Sequence, residues 1–97
     1  MFSSKQRSAL RSKASVIEPL MQIGKGGVGD NLIKSLSDAL EARELIKISV
    51  LNNAESDVKS IGAELSQKLN AELVACIGKK IILYRKSSKE NFNHIEF

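Results

Sequence analysis

The 97-residue chain has one cysteine, one histidine, one proline and no tryptophan. A single thiol, Cys76, leaves no partner for a disulfide within the chain, and one histidine with one cysteine forms no cluster of zinc-ligand spacing. Such sparing cysteine use fits a reducing compartment. No apolar run reaches the roughly 20 residues needed to cross a bilayer. The first residues lack the apolar segment of a secretory signal. The expectation is a soluble, cytoplasmic protein. Catalytic constellations are missing too: no Cys/His dyad is evident, and Glu41 and Glu44, close together before a strand, read as solvated charge. The chain is therefore not expected to be an enzyme or to carry a cofactor or metal.

What is present is an ordinary globular composition, 42% hydrophobic and 27% charged, which fits one modest domain. The net charge of +4 is unevenly spread. Residues 1–25 sum to +4, residues 26–77 to −3 and residues 78–97 to +3. Two basic ends flank an acidic middle. If the fold joins the ends, a basic face suited to a polyanion results.

Ser4 can cap a helix from Lys5, with Phe2 as a staple. Leu10 and Ala14 give that helix a thin apolar stripe among Lys5, Arg7, Arg11 and Lys13. Pro19 blocks its continuation. Leu20 to Ile23 reads as a strand, Gly24 to Gly29 as a loop. Gly29 or Asp30 then opens a helix with Leu32, Ile33, Leu36, Ala39 and Leu40 at helical spacing. From Leu45 to Leu51, Ile46, Ile48 and Val50 alternate with Lys47 and Ser49, which predicts a strand. Asn52 and Asn53 mark a turn. Ser56 can cap a third helix bearing Val58, Ile61, Leu65 and Leu69, ended by Asn70. Leu73–Ile77 and Ile81–Arg85 flank Gly78-Lys79-Lys80 as a hairpin. The order α-β-α-β-α-β-β predicts a single compact α/β domain, a four-stranded mixed sheet packed with three helices. The domain is expected to span residues 1–86, and residues 87–97 to form a loose polar tail from which Phe92, Ile95 and Phe97 could dock. His94, in that tail, is assigned no role.

The segment Gly24-Lys25-Gly26-Gly27-Val28-Gly29 admits three readings. As a dinucleotide fingerprint it lacks the acid expected at the end of the next strand. As a variant P-loop it places Asp30-Asn31 where Lys and a hydroxyl residue belong, so a carboxylate would face the phosphates. As a GxxG loop, Gly24 to Gly27, it suits a clamp on nucleic-acid backbone: glycines allow close approach, backbone N–H groups face phosphate, and Lys25 adds charge. A plain strand-to-helix turn fits the same residues.

Lys5-Gln6-Arg7 with Leu10-Arg11 and Ala14, the loop Gly24-Lys25-Gly26-Gly27, the junction Ala39 to Ile48 and the hairpin Ile77 to Arg85 occur in one order over residues 3–86. Together they resemble the CRM domain family (chloroplast RNA splicing and ribosome maturation), in its stand-alone bacterial YhbY-like form. The resemblance implies a fold similar to the C-terminal domain of translation initiation factor three. It also implies binding to structured RNA, with ribosomal RNA in precursors of the large ribosomal subunit as the partner. The expected contacts are Gly24, Lys25, Gly26 and Gly27, then Lys5, Arg7 and Arg11, then Lys79, Lys80 and Arg85. Gly29 stands where the family usually has a hydroxyl residue. Tyr84 could stack on a base but fits the core better, and Cys76 reads as a small core residue. An aromatic content of 4% favours recognition by backbone and shape over a base-stacking sheet. The expected protein is a monomer without membrane or nucleotide partner. The rival readings are a module whose basic face meets an acidic protein, and a small nucleotide-binding protein.

Overall fold

A computed structural model describes residues 3–24, 27–51, 57–90 and 92–95. The elements are α1 (Ser4–Ala14), β1 (Met21–Ile23), α2 (Asp30–Arg43), β2 (Leu45–Val50), α3 (Val58–Leu69), β3 (Glu72–Ile77) and β4 (Lys80–Tyr84). The predicted order is the observed one. The helix starts differ by a residue. Ser3, not Ser4, caps α1 in a reciprocal pair with Gln6, each side chain bonding the other's backbone N–H. Asp57 caps α3 by accepting from Ser60 N–H at 2.7 Å, whereas Ser56 lies outside the described residues. Phe2, Asn52, Asn53 and Phe97 lie outside them as well. Gly29 is the N-cap of α2 and makes no side-chain bond there. Asn70 ends α3 in the left-handed conformation, with φ 52°.

The sheet order is β1-β2-β4-β3. β2 runs parallel to β1 and antiparallel to β4, and β3 runs antiparallel to β4. The hairpin strand β4 therefore sits inside the sheet, between the two strands that α3 connects. The turn Gly78-Lys79 has positive φ only at Gly78, 58°, the pattern of a type II′ hairpin.

Side chains alternate across a strand, so each face of the sheet carries its own core. Ile23, Ile46, Ile48, Val50, Ile81 and Leu83 pack against Leu36 and Leu40 of α2 and Ile61, Leu65 and Leu69 of α3. The opposite face is thinner: Leu45, Val74, Ile82 and Tyr84 pack against Leu10 and Ala14 of α1, with Ile95 from the C-terminal segment. Tyr84 is thus a core residue. Cys76 is half-buried beside the larger core, and burial pushes its thiol above the ordinary value.

Residues 87–90 and 92–95 are tied back onto the domain, and neither Glu41 nor Glu44 is a free surface charge: Glu44 is buried and Glu41 half-buried. Glu44 is fully buried at the α2–β2 junction with φ 65°. Its carboxylate accepts from Ser87 N–H at 2.7 Å, Ile95 N–H at 2.8 Å and His94 Nδ1 at 2.5 Å. Glu41 accepts from the Ser88 hydroxyl and backbone N–H and faces Arg85 at 3.4 Å. For Glu44 the reason is desolvation: a buried carboxylate must find donors, and the chain after β4 supplies them.

Candidate nucleic-acid interface

Because β1, β2 and β3 are mutually parallel, all three end at the same edge, where β4 begins. The Gly24–Gly29 loop leaves β1 there, and the Gly78-Lys79 turn joins β3 to β4 there. Leu51 N–H donates to Ile23 O at 2.8 Å, and Val50 N–H donates to Lys79 O at 2.7 Å. The end of β2 thereby fastens the end of β1, where the glycine loop departs, on one side and the lysine turn on the other. Gly27 N–H closes a turn onto Gly24 O at 3.0 Å. Gly27 takes φ 65°, and a Cβ added there would meet no atom of the described residues within 4 Å. Glycine is needed at that position for its dihedral. Lys25 and Gly26 lie outside the described residues. Lys79 is exposed, and Lys80 Nζ donates to Ser49 Oγ at 3.2 Å.

The other expected contacts do not gather at this edge. Lys5 and Arg11 are exposed on α1, on the side of the thinner core. Arg7 is held at the far end of edge strand β3. It donates to Leu73 O at 2.6 Å and pairs with Glu72 at 3.0 Å, beside the register shift between Leu73 and Ala75. There it donates to backbone carbonyls of the irregular edge strand.

Arg85 is also an internal brace. Its guanidinium donates to Leu69 O, Ser37 O and Ser37 Oγ at 2.9–3.0 Å, and its side chain is 21% exposed. It ties the C-terminal end of α3 to α2, on the sheet face away from α1. A planar fork of donors suits such a joint, and sequence reasoning could not separate this arginine from its basic neighbours.

Charge divides between the layers. α1 carries four basic residues and no acid, whereas α2 and α3 together carry four of each. The α1 side is therefore the basic one. It also holds a polar row in which Lys80, expected from the sequence, is joined by residues to which the sequence assigned no role. Gln22 pairs with Ser49, and Ser49 with Lys80, across three strands. Lys47 lies two residues from Ser49 on the same face. The alternation of β2 already showed Lys47 and Ser49 opposite the core; the missing information was what lies over that face. Among the described residues no group of three or more His, Cys, Asp or Glu could hold a metal, and no helix is long and apolar enough to cross a membrane.

The architecture is a three-helix, four-stranded α/β sandwich with a glycine loop and a lysine turn side by side at one end. The chain matches the CRS1 / YhbY (CRM) domain over residues 2–85 and belongs to that family. It is 52% identical over 91 residues to the "Probable RNA-binding protein YqeI" of Bacillus subtilis, covering 94% of each chain. It is 34% identical over 86 residues to the "Probable RNA-binding protein MJ0652" of Methanocaldococcus jannaschii, covering 87% of this chain and 63% of the other. The solution structure of "the hypothetical protein SAV1595 from Staphylococcus aureus, a putative RNA binding protein" superposes with a TM-score of 0.78 at 46% identity, covering 94% of this chain and 95% of that one.

Proposed function

We propose that this chain binds structured RNA, and that its target is ribosomal RNA in precursors of the large ribosomal subunit, where it acts as an assembly factor. Gly24, Lys25, Gly26 and Gly27, with Lys79 and Lys80, grip the phosphate backbone; Lys5 and Arg11 extend the basic surface. Arg7 and Arg85 serve the fold. The observation that carries the reading is the pair of bonds from Leu51 N–H to Ile23 O and Val50 N–H to Lys79 O, which hold the end of β1, from which the glycine loop departs, and the lysine turn at one edge. The names of the relatives support RNA as the ligand. The burial of Tyr84 supports backbone and shape recognition over base stacking.

The test is binding of a folded ribosomal RNA fragment, followed by fluorescence anisotropy. Joint Lys25→Asp and Gly26→Asp substitution should abolish most of the affinity with an unchanged circular dichroism spectrum. Unchanged affinity would remove the loop from the interface. On low-salt sucrose gradients the protein should co-sediment with large-subunit precursors and be depleted from polysomes. Equal presence on polysomes would reject the assembly role.

A further inference from the structure

Resting on the RNA-binding reading, we infer that the α1-side face of the sheet is a second RNA contact: Lys47 and Lys80 hold backbone phosphates there, and Gln22 lies along the same path. That face has two halves. Near Tyr84 it is apolar and covered, with Leu45, Ile82 and Tyr84 under Leu10, Ala14 and Ile95. Toward the loop edge it turns polar. Gln22, Ser49 and Lys80 form one row across β1, β2 and β4, about 10 Å wide at the usual strand spacing. Lys47 opposes Ile82 on the same face, so Lys47 and Lys80 are diagonal neighbours, roughly 7–8 Å apart.

Their surroundings indicate the ligand. Arg7, Lys68 and Arg85 each sit beside a carboxylate. Among the described residues neither Lys47 nor Lys80 does, and the Lys80 ammonium turns to the Ser49 hydroxyl instead. Two neighbouring cations without a counter-charge repel one another, and a polyanion laid over them relieves that repulsion. Ammonium groups act on phosphate as point charges, which suits a backbone contact. Gln22 is exposed and can both donate and accept. Lys80 follows Lys79 directly, so the strip continues the loop-edge site, and the basic exposed residues of α1 lie on the same side. An RNA held at the edge can thus pass over the sheet face.

The experiment compares the wild type with Lys47→Gln, Gln22→Glu, Lys79→Ala and Lys68→Gln in binding a labelled RNA hairpin across a salt series. Lys47→Gln should weaken binding and make the log–log salt slope shallower by about one. Gln22→Glu is isosteric and puts a carboxylate on the phosphate path, so it should weaken binding further. Lys68→Gln, on the opposite layer, should match the wild type. Thermal melts of Lys47→Gln and Gln22→Glu should show an intact fold. If the wild type binds and Lys79→Ala weakens it while Lys47→Gln and Gln22→Glu behave as wild type, the sheet face is not contacted and only the loop-edge reading survives. If the wild type binds no RNA, both readings fall.

Discussion

His94 Nδ1 lies 2.5 Å from Glu44 Oε2, across fifty residues of chain. An ionised carboxylate can only accept, so His94 presents a protonated Nδ1. Ser87 and Ile95 N–H complete the cage. Burial alone would raise the Glu44 carboxyl; the bonds from His94, Ser87 and Ile95 outweigh it and hold it below the ordinary glutamate range. One acidic residue thus docks the C-terminal segment and brings Ile95 onto the α1-side core.

Glu44→Ala should release that segment. The lost buried acceptor costs about 1–3 kcal/mol, measured by urea unfolding. Limited proteolysis after Lys86 or Lys89 should become fast in the variant and stay slow in the wild type. Equal protection in both would show that the segment is held by something else.

Acid should undo the same joint. The carboxyls of Glu44 and Glu41 are lowered in the folded protein, Glu41 chiefly by the Ser88 hydroxyl. A lowered folded value stabilises above the unfolded value, about 4.3 for glutamate, and the contribution is lost as pH falls through the folded value. Stability should be level near neutrality with respect to these groups and decline below about pH 4.3. The decline should be shallower in Glu44→Gln. Identical acid limbs for the two proteins would contradict the assignment.

Two basic residues near the hairpin should part company. Arg85→Met removes bonds to Leu69 O and to Ser37 and should destabilise by about 2 kcal/mol, with RNA affinity of the remaining folded protein unchanged. Lys79→Ala should leave unfolding unchanged and weaken RNA binding. Denaturation curves beside binding isotherms decide it; a reversed pattern would place Arg85 at the interface.

Gly78→Ala puts a side chain on φ 58° and should cost about 1–2 kcal/mol. No neighbour crowds the added Cβ, so the cost is one of backbone conformation. Gly78→Asn should cost less, because asparagine tolerates positive φ better. A melting temperature for Gly78→Ala equal to the wild type would show that the turn can change type freely.

Local chemistry was legible in the chain itself. Leu36 and Leu40, or Ile61, Leu65 and Leu69, recur at helical spacing because one stripe must leave water, and they are buried as that spacing requires. The alternation of Ile46, Ile48 and Val50, the stop at Asn70 and the turn at Gly78 are decided by residues adjacent in sequence. So are the basic character of α1 and the run of glycines after β1. Tertiary structure alone decided which charges stay free. Arg7, Arg85, Glu41 and Glu44 look like solvated residues in sequence, yet each meets partners more than forty residues away. Charge and propensity are properties of a residue and its near neighbours. Desolvation depends on which distant segment covers it, and only the packing of the sheet between its two helix layers determines that.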